Sequence, residues 1–314
     1  MPNYQGVWSL SEQYQNASGW PKYVLPIALF AGGYTGSADT DIIDYVNIST
    51  AGNAADFGDL DAAKSSLAGL SSSTRGVFAG GSGATNVISY VTIGSSGSTT
   101  DFGDLTQGRS NSGACSNEVR GVFCGGVLGS PSFSRVNTMD FVAIATTGNA
   151  TDFGNLTVAR SGLGGCSSST RGVLAAGYNG SSNVNTIDFI TLSTAGDATD
   201  FGDLTGTSED ASGCSSSVRG VFATNLNTIQ FVTIASTGNA TDFGDTSVVR
   251  NRLSSTSSET RGVFAGGANP STGTVYNTID AITIASAGNA TDFGDLTQSR
   301  YSLAACSAAH GGLS

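Results

Sequence analysis

Histidine, tryptophan, methionine, proline and charge are all scarce in this 314-residue chain. It contains one His, two Trp, two Met and five Pro, and only 12% of its residues are charged. A single histidine, His310, provides no His cluster for a metal and leaves little material for Ser-His-Asp or Cys-His catalysis. We therefore expect no catalytic residues, no metal and no other cofactor, and we expect a protein that is not an enzyme.

Positive charge and long apolar runs are lacking as well. Thirteen Lys and Arg stand against 24 Asp and Glu, so the net charge is −11. Binding nucleic acid requires a basic surface, and we exclude that class of partner. No run approaches the roughly 18 apolar residues that span a bilayer, which predicts no membrane insertion. The first residues have neither a cationic segment nor an apolar core after it, so we expect no signal peptide.

Glycine, by contrast, is abundant, and much of it belongs to a phrase that recurs six times. The phrase reads Arg-Gly-Val-Phe-Ala-Gly-Gly, a variable gap, Asn-Thr-Ile-Asp-Phe-Val-Thr-Ile, then Gly-Asn-Ala-Thr-Asp-Phe-Gly-Asp-Leu. A period of 40 to 50 residues is typical of propeller blades. The runs alternate with a period of two and are rich in β-branched residues, which excludes helical repeats. The Asp-Phe-Gly triplets begin at Asp56, Asp101, Asp152, Asp200, Asp242 and Asp292.

Each repeat contains four short predicted strands. In the fourth repeat they cover residues 162–167, 171–175, 186–192 and 199–204. Ile187 and Phe189 lie on one face of the third strand and Ile190 and Leu192 on the other. Both faces must then be buried, as they are in a blade that lies between two neighbours.

The two ends of the chain are predicted to share one blade. Residues 302–306 form a first strand with no blade after it, and the strand at 27–31 has no repeat-like first strand before it. We infer an all-β, six-bladed β-propeller of four-stranded antiparallel blades, whose N-terminal blade is completed by the C-terminal strand. The predicted domains are a docking arm (1–22) and the propeller (23–314), with blade 1 at 23–62 plus 301–310, blade 2 at 63–107, blade 3 at 108–158, blade 4 at 159–206, blade 5 at 207–248 and blade 6 at 249–300.

This order of strands resembles the kelch repeat. Gly80-Gly81, Gly125-Gly126 and Gly266-Gly267 match its double glycine, whereas Ala176-Gly177 and Ala223-Thr224 depart from it. The aromatic residue that follows the third strand is Trp in that family and Phe here. The resemblance implies the fold far more than a function.

A second resemblance is to structural proteins of tailed phages, especially those that infect marine bacteria. Such proteins carry near-identical tandem phrases similar to Gly-Asn-Ala-Thr-Asp-Phe-Gly-Asp-Leu-Thr. Segments like Gly6-Val7-Trp8-Ser9-Leu10-Ser11-Glu12-Gln13 occur before such arrays. The resemblance implies a virion component, assembled in the host cytoplasm, with other virion proteins as partners.

Charged and sulfur-containing residues recur in step with the repeat, which favours structural roles. We expect the repeated Arg residues to pair with carboxylates such as the Asp of Asp-Phe-Gly, within or between blades. The fourth repeat has Ser208 at one Arg position, which predicts a looser junction. Cys115, Cys166, Cys214 and Cys306 are predicted to be buried small hydrophobes. The basic residues form two sets: Lys64, Arg109, Arg160, Arg250 and Arg300 after the fourth strand, and Arg75, Arg120, Arg171, Arg219 and Arg261 at the start of the second.

A separate acidic segment could bind Ca²⁺. Asp39, Asp41 and Asp44 offer oxygen ligands of the kind that this ion prefers. We favour instead a solvated turn that leads into the third strand.

Non-repeating residues are the candidates for binding. The loops after the second strands vary in length and the turns after the third strands do not, which suggests that one face of the disc is individualised for contacts. Aromatic and Arg side chains are favoured at such contacts. The arm at 1–22 carries both tryptophans and either docks on a partner or folds back over the disc. The candidate partner-binding residues are Trp8, Trp20, Tyr34, Phe133, Arg135, Tyr178 and Tyr276.

Three functions compete at this point. The first is a non-enzymatic virion component in a tail, neck or capsid surface, which presents a rigid propeller for protein-protein contacts. The second is a carbohydrate-binding propeller that recognises host surface glycans through the variable loops. The third is a polysaccharide-cleaving enzyme that uses a pair of the repeated carboxylates.

Overall fold

A computed structural model describes residues 26–313, which form a six-bladed β-propeller. Each blade is a four-stranded antiparallel sheet, so the predicted fold class is confirmed. The first strands contact one another in a closed ring around the axis. In the order of blades 1 to 6, they are Ala304–Ser307, Leu67–Ser71, Gly113–Ser116, Gly164–Ser167, Ser212–Ser215 and Ser254–Ser257. The second strands are Ile27–Ala31, Arg75–Gly80, Arg120–Cys124, Arg171–Ala175, Arg219–Ala223 and Arg261–Ala265.

The third and fourth strands build the outer half of each blade. The third strands are Ile42–Asn47, Val87–Thr92, Thr138–Ala143, Val184–Thr191, Thr228–Thr233 and Thr278–Thr283. The fourth strands are Ala55–Asp59, Thr100–Asp104, Thr151–Asn155, Thr199–Ser208, Thr241–Asp245 and Thr291–Asp295. A two-residue ladder joins Arg109–Ser110 to Val127–Leu128, and a 3₁₀ helix covers Gly311–Leu313. Within residues 26–313 the structure has no helix that is both long and apolar enough to cross a membrane.

The C-terminal strand closes the ring. Ala304–Ser307 pairs antiparallel with Ile27–Ala31, with Leu29 opposite Cys306. The prediction that the C-terminal strand completes the N-terminal blade is therefore confirmed. Because the closing strand comes from the other end of the chain, strand Ile27–Ala31 is paired along both of its edges.

Six apolar cores lie between adjacent blades rather than within them. Ile187 and Phe189 pack in the core shared by blades 4 and 5, whereas Ile190 and Leu192 pack in the core shared by blades 3 and 4. The two-faced pattern of the third strand is thus explained by burial on both sides. A blade removed from its neighbours would expose both of its apolar faces.

The Asp-Phe-Gly triplet makes the outer contact between blades. Its Phe is buried, and its Gly has φ between 139° and 151° in the six blades. A Cβ atom on Gly154 would lie 2.4 Å from the carbonyl oxygen of Gly196 in the next blade. Gly is required there both for the backbone conformation and for the close approach.

Four Arg side chains are completely buried between blades, and each is paired with a carboxylate of the following blade. The guanidinium of Arg160, for example, lies 3.2 Å from the carboxylate of Asp188 on the third strand of blade 4. The prediction that these Arg residues pair with the Asp of Asp-Phe-Gly is wrong, because that Asp lies exposed on the outermost strand. The pairs are Arg109–Asp140, Arg160–Asp188, Arg250–Asp280 and Arg300–Asp44, at 2.8–3.2 Å.

Further hydrogen bonds support each buried pair, although Nε and Nη1 of Arg160 are buried without a hydrogen-bond partner among the described residues. The backbone N–H and the hydroxyl of Thr157 donate to the two oxygens of Asp188, at 3.1 and 2.6 Å. Arg160 also donates to the carbonyl oxygen of Leu174, at 3.1 Å. Burial lowers the pKa of Arg160 and the nearby Asp188 opposes that shift. We call each such arrangement a latch, because it ties the connection after one blade to the sheet of the next.

The acidic segment in blade 1 is part of this system and is not a solvated turn throughout. Asp44 lies in strand Ile42–Asn47, is fully buried and is paired with Arg300. Asp39 accepts a hydrogen bond from the Ser82 hydroxyl, at 2.5 Å. The expectation of a solvated turn is therefore wrong for Asp44, which the latch withdraws from solvent.

Two junctions replace both members of the latch together. At the junction of blades 1 and 2, Ser89 occupies the Asp position and Lys64 bonds to Asp61 in its own turn, at 3.0 Å. At the junction of blades 4 and 5, Ser208 and Gln230 are both buried, and the Gln230 side-chain oxygen accepts the Thr205 N–H at 2.8 Å. The loss of the Arg at Ser208 thus comes with a compensating amide, Gln230. A looser junction between blades 4 and 5 does not follow from this substitution.

The second set of Arg residues stabilises the blades differently. Arg120 lies 4.5 Å from the centre of the Phe141 ring and donates to the carbonyl oxygen of Leu192 in the next blade, at 3.0 Å. The equivalent Arg residues in blades 2, 4, 5 and 6 repeat the backbone bond. These cations therefore stack on aromatic rings and cross between blades, and within residues 26–313 they have no carboxylate partner.

The latch makes a direct prediction about stability. Asp188→Ala leaves a buried guanidinium without its carboxylate, and we expect it to lower the free energy of unfolding by about 3–5 kcal/mol. The double variant Arg160→Ser/Asp188→Gln copies the pair found at Ser208 and Gln230, and we expect it to cost less than Asp188→Ala alone. Urea unfolding of the three proteins measures both effects. A double variant at least as unstable as Asp188→Ala would contradict the latch.

Candidate functional site

The loops separate into two faces of the disc. The upper face carries the loops between second and third strands and the connections from each blade to the next. The lower face carries the turns between first and second strands and between third and fourth strands. The axis therefore has an upper and a lower mouth, and the two differ in their chemistry.

A ring of six serine hydroxyls surrounds the lower part of the axis. The hydroxyl of Ser116 donates to the carbonyl oxygen of Ser71, at 2.7 Å, and the same bond links every pair of neighbouring blades. Because each serine ends a first strand, the ring fixes the lower ends of all six. Its members are Ser71, Ser116, Ser167, Ser215, Ser257 and Ser307.

The C-terminal segment covers the lower mouth. The His310 Nε2 atom lies 3.3 Å from both the Ser116 hydroxyl and the Ser71 carbonyl oxygen. A Cβ atom on Gly312 would lie 2.1 Å from the Ser116 carbonyl oxygen, and one on Gly311 would lie 2.2 Å from the Ser216 backbone. Glycine is thus the residue that lets this segment approach the ring so closely.

The proximity of His310 to Ser116 does not form a catalytic pair. The Gly312 N–H donates to Nδ1 of His310, at 3.1 Å, so Nε2 carries the proton in the neutral ring. A protonated Nε2 cannot accept the serine proton, and no carboxylate bonds to Nδ1 among the described residues. Burial lowers the pKa of His310 to about 4. The histidine therefore acts as a neutral hydrogen-bonding plug.

The cysteines are packing residues, as predicted for four of them. All five are free and buried, and burial raises the pKa of Cys214 and Cys306 to about 12. A Cβ atom on Gly172 would lie 2.4 Å from the Cys115 sulfur of the preceding blade. The Gly of Arg-Gly-Val is thus the place where a neighbouring first-strand side chain enters the sheet. Among residues 26–313, no group of three or more His, Cys, Asp or Glu is arranged to hold a metal ion.

The upper mouth is open, and one position in its lining carries different side chains in different blades. One residue per blade, just before the first strand, adopts a left-handed conformation with φ between 53° and 69°. These six residues, which we call the mouth ring, line a cavity of about 110 Å³. They are Ser66, Asn111, Gly162, Asp210, Arg252 and Ser302.

Backbone hydrogen bonds link four of the six neighbouring pairs in the mouth ring directly, Ala211 N–H bonds to the Gly162 carbonyl oxygen beside Asp210, and an ion pair links Asp210 to Arg252. Ser66 N–H donates to the Ser302 carbonyl oxygen at 2.7 Å, and Asn111 N–H donates to the Ser66 carbonyl oxygen at 2.8 Å. Between Asp210 and Arg252, Nε of Arg252 donates to a carboxylate oxygen of Asp210 at 3.0 Å. Proximity to Asp210 raises the pKa of Arg252 against the opposing effect of burial.

A second feature of the upper face is the loop at 127–136, which presents an aromatic side chain to solvent. Phe133 is 61% exposed and has φ of 48°, a strained conformation for a bulky residue. The loop is held as a small hairpin by hydrogen bonds such as Leu128 N–H to the Ser134 carbonyl oxygen, at 2.9 Å. Arg135 lies 4.7 Å from the centre of the Tyr178 ring in the next blade. Three predicted site residues are therefore brought to one region, with Phe133 the most exposed.

The remaining predicted site residues are more scattered. Tyr34 packs edge-on against Tyr301, with ring centres 5.5 Å apart, and Tyr276 is half-buried. Trp8 and Trp20 lie outside the described residues. The sequence reasoning missed the mouth ring and the plug at His310. The sequence did contain a signal for each. The residue just before the first strand differs from blade to blade, and two glycines follow His310.

Comparison with known proteins adds no assignment to this geometry. No protein-family model matches the chain. A search of curated proteins finds no relative with significant similarity.

The plug predicts a pH dependence of stability. The pKa of His310 is about 4 in the folded protein, against 6.5 for an ordinary histidine, so between these values the unfolded chain binds more protons. Stability that is fully present above pH 6.5 is therefore lost as the pH falls towards 4, by an amount on the order of 1–3 kcal/mol.

The control is His310→Gln, which retains hydrogen-bonding groups and does not titrate. Urea unfolding gives the free energy of unfolding of both proteins from pH 7.5 to pH 4. The difference between them at each pH cancels the contribution of the carboxylates, which both proteins share. We expect the wild-type protein to lose stability relative to the variant over this range. Parallel curves would show that His310 is not buried as a neutral plug.

Proposed function

We propose that this chain is a non-enzymatic structural component of a tailed-phage particle, in its tail, neck or capsid surface, and that it docks on other virion proteins through the upper face. The propeller fold is consistent with a protein-interaction role. Six closed blades give a rigid disc, and a rigid platform loses little conformational entropy when it binds. The phage assignment rests on the similarity of the tandem phrases and of the segment at residues 6–13 to phage structural proteins.

The observation that supports docking most strongly is the exposure of Phe133. Keeping a bulky side chain at positive φ costs about 1–3 kcal/mol, and leaving an aromatic ring in water forgoes about 1.5–3 kcal/mol of burial. The hairpin hydrogen bonds and the Arg135–Tyr178 contact hold the loop in place without covering that ring. Such a preorganised aromatic side chain has the properties of an interface anchor.

The loop also makes Tyr178 a poor platform for a sugar ring. The Arg135 guanidinium already lies over one face of this tyrosine, and the tyrosine hydroxyl donates to the Gly180 carbonyl oxygen at 3.0 Å. The loop cluster is therefore better suited to a protein partner than to the glycan alternative.

Mass spectrometry of purified phage particles tests the assignment. We expect the chain to be present in intact particles at a stoichiometric level that survives washing in high salt. Its absence from particles, together with its presence in the lysate, would rule out a virion component.

A variant experiment tests the docking surface. We expect Phe133→Ala to reduce the amount of protein retained in particles about tenfold or more, because the anchor loses most of its buried area. Val218→Ala is the matched control, since Val218 is 59% exposed but lies on the lower face. Equal retention of both variants would place the contact elsewhere.

A further inference from the structure

We propose that the upper mouth of the axis is a binding site for a single terminal sugar residue, centred on Arg252 and Asp210. The site is separate from the loop at 127–136 and does not depend on the virion assignment. It lies in the cavity of about 110 Å³ that the mouth ring lines. Because the cavity opens at the upper mouth, a sugar ring can enter it in part in place of a small group of water molecules.

The first argument is the strain that the mouth ring accepts. All six residues have φ near +60°, the region where Gly carries the least penalty, yet Gly occupies only the position of Gly162. Asn111 and Asp210 belong to types that tolerate this conformation, whereas Arg252 does not. Because Gly162 shows that the position works without a side chain, the other five side chains are not required by the backbone geometry.

The second argument is the difference between the six side chains. The backbone repeats around the ring and the latches largely repeat, but the mouth presents hydroxyls, an amide, a carboxylate and a guanidinium. Chemistry at a single site needs no sixfold symmetry. A ligand on the axis meets all six positions at once, so substitutions there change its recognition without changing the blades.

The third argument is the unused hydrogen-bonding capacity of the ion pair. Only Nε of Arg252 and one oxygen of Asp210 are engaged with each other. The two terminal nitrogens of Arg252 and the second oxygen of Asp210 have no hydrogen-bond partner among the described residues. The Arg252 side chain is 47% exposed and the Asp210 side chain 19% exposed. If the ion pair served only to join two blades, the bond from Nε of Arg252 to Asp210 would be enough. The remaining donors and acceptor are free to bind a ligand.

These groups match the chemistry of a sugar better than that of an anion. Vicinal hydroxyls both donate and accept hydrogen bonds, and the mouth offers donors from Arg252 beside an acceptor from Asp210. Asn111, Ser66 and Ser302 add groups of both kinds. A simple anion would meet the Asp210 carboxylate and the net charge of −11.

Sugar binding is tested by titrating the full chain with a panel of monosaccharides, using saturation-transfer NMR and calorimetry. One sugar ring in an open mouth should bind with Kd on the order of 1 mM. An array of surface glycans forms the second arm, in which only glycans that end in the same sugar should bind. Binding of the free sugar without any glycan restricts the ligand to a small molecule, and binding in both arms identifies a glycan terminus.

The variants use residues that the mouth ring already contains. Arg252→Ser introduces the residue found at two other ring positions with φ of 60° and 54°, and Asp210→Asn introduces the residue found at position 111. We expect either change to weaken the sugar about tenfold or more, because it leaves sugar hydroxyls unpaired. Val249→Ala, at an exposed position of the same face but outside the mouth, should leave the affinity unchanged. Thermal melting checks that each variant is folded.

Three results would overturn the inference. They are no binding by any sugar up to 100 mM, unchanged affinity in both mouth variants, and binding of acetate or phosphate but of no sugar. None of these results bears on whether the chain is present in phage particles, so the two proposals can fail separately.

Discussion

Every blade of this protein has two apolar faces, and this constraint governs the rest of the structure. A single blade cannot bury both faces, so it is stable only between two neighbours, and the series must close on itself. The pairing of Ala304–Ser307 with Ile27–Ala31 meets that requirement by joining the two ends of the chain in one sheet. The latches, the serine ring and the Gly contacts of Asp-Phe-Gly then act at the buried inner part, the axis and the outer edge of the same interfaces.

Much of this architecture was predictable from the sequence because it repeats. The period and the two-faced third strand predicted six blades, and the unmatched strands at the two ends predicted the closure. The partner of the buried Arg was not predicted correctly. The Asp of Asp-Phe-Gly and the Asp of the third strand recur with the same period, so periodicity alone cannot separate them. The paired substitutions at Ser208 with Gln230 and at Lys64 with Ser89 do separate them. A buried Arg without its carboxylate is costly, so the position of its true partner changes whenever the Arg changes.

The candidate sites were harder to predict because they depend on where the axis lies. The left-handed conformation at Arg252 and Asp210 follows from the connection between blades, and no local turn signal marks a residue such as Arg or Ser for positive φ. The role of His310 depends on the C-terminal segment turning into the lower mouth, which is a tertiary effect. Phe133 could be identified from sequence as a residue in the longest variable loop, but its exposure could not.

The two mouths of the axis differ although the blades repeat. At the lower mouth the ring is uniform, with serine in all six blades, and the segment after the last strand covers it with His310, Gly311 and Gly312. At the upper mouth the backbone is equally uniform but the side chains differ, and the cavity stays open. Uniform chemistry suits closure, because the same bond is made between every pair of blades. Varied chemistry on a fixed backbone suits recognition, because each position can change without disturbing its neighbours, and this asymmetry is why binding is expected on the upper face.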